Sequence, residues 1–369
     1  MRRRIPVFIA IVQSILFLVH LFLYGTWVFF WGAIDSSTLF ELQVALACLS
    51  VSFVIASLLA FRFSNILVRI FYTLAAVLLG LVNFFFLASC ATWLIYIVPA
   101  MFGVRLERRP LAIAFFGLGL LAGIYGVVNA SWTRVERITV KLPGLPESWR
   151  GRTAALVSDW HLGHIRNRGF VRRILRMLTG LRPDALFIMG DLFDGSAVDL
   201  DRLAGPWANF SLPLGSYFVT GNHEQFSSPT KYLETVERCG IRVLNNEKII
   251  LDGLQIVGVH FRDSMNVEKF RSILNQAALD RNVASILLVH TPDHLPIAEE
   301  AGFSLQLCGH THRGQFFPFT LIVSRIYRQF AYGLNRHGNL MVYTSCGAGT
   351  WGAPFRLGSN PEIVLIHFE

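Results

Sequence analysis

The stretch DALFIMGD, residues 184–191, sets five apolar side chains in a row between an aspartate and a Gly–Asp pair. So short and continuous a run reads as a strand buried on both faces. Gly190 permits a tight turn and close backbone approach, and Asp191 is left at the carboxyl end. The same arrangement recurs along the chain. TAALVSD (153–159) ends at Asp159, with His161 two residues on. GSYFVTGNH (215–223) ends in Asn222 and His223, ASILLVH (284–290) in His290, and LQLCGH (305–310) in His310, followed by His312. Further strand-like runs are LQIVGVH (254–260), LMVYTS (340–345) and EIVLIHF (362–368), and residues 168–180 and 230–239 read as helices. Strands alternating with helices predict a layered α/β fold.

Ligands of open α/β sheets gather beyond the carboxyl ends of the strands. Taken singly, an Asp after a strand is a turn or cap residue, a lone His is a satisfied polar group, and an H-x-H pair is weak evidence. Five strand ends carrying Asp159, His161, Asp191, Asn222, His223, His290, His310 and His312, mostly beside a glycine, point together to one site. The donors are carboxylate, imidazole and amide oxygen, with no thiolate, which suits Mn²⁺, Fe²⁺, Zn²⁺ or Mg²⁺. They are too many for one tetrahedral zinc. They suit two cations about 3.5–4 Å apart with a carboxylate between them.

The front of the chain is different. Of 369 residues, 53% are hydrophobic, and the mean hydropathy is +0.49, too apolar for a soluble enzyme of this length. Residues 1–130 hold eight basic residues and three acids, the remainder 25 and 21, so the net +9 divides as +5 and +4. Residues 5–31, 40–61 and 111–130 are each apolar enough to span a bilayer core, which takes about 20 residues. Residues 71–104 are apolar for 34 positions, which fits either one overlong tilted helix or a hairpin breaking near Gly80 to Asn83. Arg2, Arg3 and Arg4 place the N-terminus in the cytoplasm. Four spans then leave the back domain cytoplasmic, and five put it outside; basic residues near the spans divide eight to three under either topology. The pair Arg108–Arg109 before an apolar run resembles a twin-arginine export signal and favours the outside. His20 and Asn83 within the spans read as tolerated polar groups of an anchor ahead of a transport path. The five cysteines have no regular spacing and form neither a disulfide framework nor a C-x-x-C zinc site.

The strand-end blocks resemble the calcineurin-like metallophosphoesterase family. They are D-x-H (159–161), G-D-x-x-D (190–194), G-N-H-E (221–224), a single His290 and G-H-x-H (309–312), all in family order. The tail GAGTWGAPFRLGSNPEI (347–363) and the preceding anchor are similar to the membrane-associated bacterial branch, with its exported phosphodiesterases and UDP-2,3-diacylglucosamine pyrophosphatases. The resemblance implies a four-layer αββα sandwich over residues 136–369, preceded by an all-α transmembrane region of four or five helices over 1–131. It implies Asp159, His161 and His312 on a first metal, Asn222, His290 and His310 on a second, and Asp191 bridging. Manganese is favoured for both ions. His223 would be the acid for the leaving group, with Asp194 and Glu224 as supporting or turn residues. Arg313 stands where the branch commonly has a glycine and is a candidate for contact with substrate phosphate. His260 stands where an acid is frequent, and His164 and His294 are bystanders.

The expected function is that of a membrane-bound dinuclear-metal hydrolase of a phosphodiester or diphosphate, in a multi-pass protein of a bacterial inner membrane. Its partners would be the lipid bilayer and a phosphate-containing, lipid-linked substrate. The alternative is a membrane signalling or transport protein with a non-catalytic sensor domain, which should have lost ligands. The even charge of the back domain argues against a nucleic-acid partner. Oligomeric state is left open.

Overall fold

The computed structural model describes residues 4–226 and 229–369. Arg2 and Arg3, used in the topology argument, lie outside the described residues. The chain forms two compact units: residues up to 128 together with 352–355, and residues 129–351 together with 356–369.

The first unit contains helices α1 (Arg4–Trp31), α2 (Ser36–Ala60), α3 (Ile66–Ala100) and α4 (Arg108–Ser131). All four are long and apolar enough to cross a membrane. The long third run is one continuous 35-residue helix, not a hairpin. Its only proline, Pro99, falls in the last turn, so the bond it costs, to the Ile95 carbonyl, lies at the very end of the helix. Asp35 caps α2 by accepting from Thr38 N at 2.9 Å, and Asn65 caps α3 by accepting from Val68 N at 3.0 Å. His20 Nδ1 lies 2.7 Å from the Leu16 carbonyl one turn back in its own helix. Phe355, from the short returning segment, fills a notch at Gly126, where a Cβ would stand 2.9 Å from its ring.

Among the described residues the second unit holds twelve strands: β1 (Arg134–Val140), β2 (Thr153–Val157), β3 (Ala185–Met189), β4 (Ser216–Val219), β5 (Ile241–Val243), β6 (Glu247–Leu251), β7 (Leu254–Gly258), β8 (Ser285–Leu288), β9 (Leu305–Cys308), β10 (Gly333–His337), β11 (Leu340–Thr344) and β12 (Glu362–Phe368). They form two six-stranded sheets, ordered β1-β12-β2-β3-β4-β5 and β10-β11-β9-β8-β7-β6. Strands β2 to β5 are mutually parallel, as are β7, β8, β9 and β11.

Alternation along each strand explains why the runs are apolar throughout. In β2, Ala154 and Leu156 face the second sheet, while Ala155 and Val157 face outward. In β3, Phe187 and Met189 point inward, and Leu186 and Ile188 outward. In β8, Ile286 and Leu288 meet the inter-sheet core, and Leu287 packs on the far side. Helix α5 (Arg168–Leu181) and the helix Pro229–Arg238 cover the outer face of the first sheet, and the helices Val267–Gln276 and Leu295–Ala301 that of the second. The result is the expected αββα sandwich, with three apolar layers between four layers of backbone.

Phe187 is fully buried between the sheets. Phe187→Ala is expected to lower the unfolding free energy of this unit by about 3–5 kcal/mol, read by denaturant unfolding of the full chain in detergent. Ile250→Ala, at a side chain 59% exposed, should change it by less than about 0.5 kcal/mol.

Candidate metal centre

Both sheets deliver their parallel strand ends to the same place. From the first sheet come Asp159 after β2, Asp191 after β3, and Asn222 with His223 after β4. From the second come His290 after β8 and His310 with His312 after β9. Backbone bonds lash these ends together. Asp159 N donates to Gly190 O at 3.1 Å, His161 N to Asp191 O at 3.0 Å, and Gly309 N to His290 O at 2.9 Å. Other bonds cross between the sheets: His290 Nδ1–H donates to Met189 O at 2.6 Å, and His310 N to Asp159 Oδ2 at 3.0 Å.

The motif glycines are spaces that the site uses. A Cβ at Gly309 would overlap the Ser158 hydroxyl and press on Asp159, and one at Gly190 would stand 2.6 Å from His290 Nδ1. Asp159, His161, Asp191, His310 and His312 all have left-handed backbones, with φ between 47° and 71°. Each costs about 1–2 kcal/mol for an L-residue. Such strain, concentrated in one cluster, persists because the surrounding bonds fix it, and it marks a functional site.

The donor atoms fall into two groups. In the first, His161 Nε2 is 2.9 Å from His312 Nε2, and His312 Nε2 is 3.5 Å from Asp159 Oδ1. In the second, Asn222 Oδ1 is 3.2 Å from His290 Nε2 and 3.0 Å from His310 Nδ1, and those two nitrogens are 3.2 Å apart. Asp191 Oδ2 reaches both, at 3.9 Å from His161 Nε2 and 3.3 Å from His290 Nε2. Ligands held about 2.0–2.2 Å from a common ion would be spaced in this way. The residues expected as donors are therefore brought together in one cluster.

The chemistry of the pocket fits divalent cations. Asp159 Oδ1 and His161 Nδ1 are buried with no hydrogen-bond partner. Burial pushes Asp159 up to about 6, partly offset by His290. Burial also acts against the charge on Asp191, but His290 and the other imidazoles outweigh it and hold that carboxyl well below the usual range. Burial, then the neighbouring His223 and His161 respectively, drive His161 and His312 well below the ordinary histidine value. Burial and His290 lower His310 to about 4. His290 goes the other way: burial lowers it, but Asp191 beside it raises it to about 10. Three neutral imidazoles next to two carboxylates form a pocket that attracts positive charge.

His223 sits at the edge of this cluster. Its Nδ1–H donates to Asp194 O at 2.8 Å, which turns Nε2 toward Asp191 Oδ2, 4.0 Å away. Its ring stands edge-on to His161, with centroids 4.6 Å apart. Glu224 is fully buried beneath the site. Its Oε2 accepts from Asp191 N at 2.9 Å and Gly221 N at 2.8 Å, and its Oε1 from Phe193 N at 3.1 Å. It joins the loops after β3 and β4. Asp194 caps Ser196 N at 2.8 Å.

Other sequence candidates fall outside the cluster. Arg313 is exposed, with its guanidinium 4.9 Å from the Tyr332 ring centroid. His260 is the N-cap of the turn Phe261–Ser264, accepting from Arg262 N at 3.2 Å. His294 lies against Phe270.

The sequence reading missed Arg356. It is wholly buried, and it donates to His312 O at 3.0 Å, Cys346 O at 2.8 Å and Gly349 O at 2.6 Å, with its NH2 group 3.2 Å from His312 Nδ1. It fixes the loop behind His312. The signal for it in the sequence is its place inside the tail 347–363.

The sequence profile of the calcineurin-like phosphoesterases matches residues 153–314. A metallophosphoesterase of Aquifex aeolicus is 31% identical over 257 residues, and the match takes in 68% of this chain and 97% of that one. The chain belongs to the calcineurin-like phosphoesterase family. A metallophosphoesterase of Campylobacter jejuni is 27% identical over 325 residues, spanning 85% of this chain and 86% of its own length. A zebrafish transmembrane protein with a metallophosphoesterase domain is 34% identical over 264 residues, 66% of this chain but 59% of that protein. The chain therefore spans about three-fifths of the zebrafish relative. The family uses pairs of divalent metal ions, and four membrane-capable helices together with relatives named as transmembrane proteins make this a membrane protein.

Arg356→Lys keeps the charge but loses the planar fork. It should leave carbonyls behind His312 unpaired and lower stability by about 1–3 kcal/mol. Thermal unfolding of the purified chain, with and without added Mn²⁺, reads this out, with the loss expected in both conditions.

Proposed function

We propose that this protein is a metal-dependent hydrolase of a phosphodiester or diphosphate bond. The observation that carries this reading is the pair of donor groups sharing Asp191. Asp159, His161 and His312 would hold one divalent cation, Asn222, His290 and His310 a second, and Asp191 both. Bound cations of this kind supply positive charge to phosphoryl oxygens and make water nucleophilic near neutral pH. Manganese suits the mixed carboxylate, imidazole and amide set.

The chain's own residues do the rest. Glu224 and Arg356 hold the loops that carry Asp191 and His312. His223 is oriented by its Nδ1–H bond to Asp194 O, and so presents Nε2 to the pocket. From there it can hold a proton and deliver it to the departing oxygen. Arg313, next to His312 and exposed, is assigned to a substrate phosphate oxygen. The membrane-capable helices favour a lipid or lipid-linked phosphate substrate, and the bacterial relatives favour a bacterial inner membrane. A non-catalytic sensor is disfavoured because no expected ligand has been lost.

The full chain in detergent with Mn²⁺ is expected to hydrolyse bis(p-nitrophenyl) phosphate and to carry close to two metal ions. Asp191→Ala should abolish turnover; full activity in that variant would sink the two-metal reading. His223→Ala should slow esters with poor, alkyl leaving groups by about 10²–10⁴-fold while largely sparing p-nitrophenyl esters, whose leaving group needs no proton. An equal loss on both would remove His223 from the acid role.

A further inference from the structure

Beside the metal centre lies a helix that behaves unlike the others of its unit. Phe319–Tyr327, FTLIVSRIY, buries none of its nine residues. Leu321 is 62% exposed, Ile322 52%, Ile326 65% and Phe319 45%. A surface helix of a water-soluble domain turns an apolar stripe to the core and a polar face to water. This one turns its largest apolar side chains outward, as a contiguous patch of the kind that marks an interaction surface.

The helix is fixed to the site at both ends. At its start, a Cβ on Gly314 would strike the Phe319 carbonyl, and Phe319 N donates to Phe316 O at 2.9 Å. Those residues directly follow His312. At its end, the Tyr327 ring lies 6.4 Å from that of His310. The patch is therefore built onto the loop that carries two of the donor histidines.

Its charge is one-sided. From residue 301 to 361 the chain has no Asp or Glu, but it has five arginines: Arg313, Arg325, Arg328, Arg336 and Arg356. All but Arg356 are exposed. Arg325 and Arg328 at the helix end would favour the helix by themselves. That local effect does not account for sixty-one residues without an acid. Exposed Leu, Ile and Phe followed by two exposed arginines is the composition of a segment that lies in a membrane interface and attracts anionic headgroups; from outside the segment, Asp293 comes near enough to act on the Tyr327 hydroxyl. The first four helices are themselves long and apolar enough to cross a bilayer.

We infer that Phe319–Tyr327 is a membrane-docking helix, its apolar side chains entering the lipid surface and its arginines meeting anionic headgroups. Resting on the function proposed above, docking at this point would offer the centre a phosphate carried by a membrane lipid, in preference to one free in solution.

The test uses the full chain in nanodiscs of phosphatidylcholine and phosphatidylglycerol, with Cys48, Cys90 and Cys239 changed to serine. A nitroxide is placed in turn at Leu321→Cys, Ile326→Cys and the exposed control Ser272→Cys, and metal content certifies that each variant is folded. Ile322→Cys replaces either helix position should that variant misfold. Collision rates are measured with oxygen, which concentrates in lipid, and with a water-soluble nickel chelate. The oxygen-to-nickel ratio at 321 and 326 is expected to exceed that at 272 several-fold. A ratio equal to that at 272 overturns the inference. So does exclusion of both reagents, since the patch would then be covered by protein. The readout is independent of turnover: a chain that docks but hydrolyses nothing overturns the enzymatic reading alone.

Discussion

Asp191 is the point on which the arrangement turns, because one carboxylate must reach donors supplied by two different sheets. Its Oδ2 lies near His161 on one side and near His290 on the other, and its Oδ1 accepts from His223 N at 2.8 Å. No single strand could place those groups. Only the meeting of two parallel strand edges does so, which is why the domain needs two sheets and why their inner faces must pack without gaps. A slip of β3 by one residue against its paired neighbours β2 and β4 would reverse every side chain and carry Asp191 out of reach.

Such a pocket is unfavourable to fold. It places carboxylates and imidazoles where water is scarce, on backbones that five of the donor residues adopt against their preference. The compensation is local and specific. Glu224 gathers three backbone N–H groups under Asp191. Arg356 takes the carbonyls behind His312, and the main chain of Met189 orients His290 from the opposite sheet. A bound cation would add to these by neutralising the charge they hold together.

How much of this could be read in the sequence follows from the same physics. The strands were legible because both faces are buried, which forces apolar residues at every position, as in ALFIM of β3. The donors were legible because chemistry confines them to the ends of those strands, beside glycines that no other residue can replace without collision. The four apolar helices were legible from length alone. What single-sequence patterns left open was continuity: residues 71–104 fit one helix or two, and only the assembled backbone shows a single α3. Arg356 was invisible because its importance lies in acceptors drawn from 312, 346 and 349, a set that folding alone assembles. The exposed helix Phe319–Tyr327 escaped notice for the converse reason. An apolar stretch reads as core, and nothing in FTLIVSRIY says that its side chains face outward.

The chain thus separates two tasks. The donor set depends on strand ends whose neighbours are fixed on all sides, so almost any change there disturbs several partners at once. The segment from Arg313 to Trp351 is held to that set through side-chain bonds to its main chain: Thr311 Oγ1 donates to Ala331 O at 2.8 Å, Gln315 Nε2 donates to Trp351 O at 3.0 Å, and Gln315 Oε1 accepts from Trp351 N at 2.8 Å. Its outward side chains are not used in packing. Arg313 rests on Tyr332, Trp351 is largely exposed, and the apolar helix stands free of the core. Side chains released from packing can vary without unfolding the protein. On the function proposed here, the donor cluster at the rigid sheet edges would set the bond to be broken, and the outward, arginine-bearing side chains of this segment the molecule that carries it.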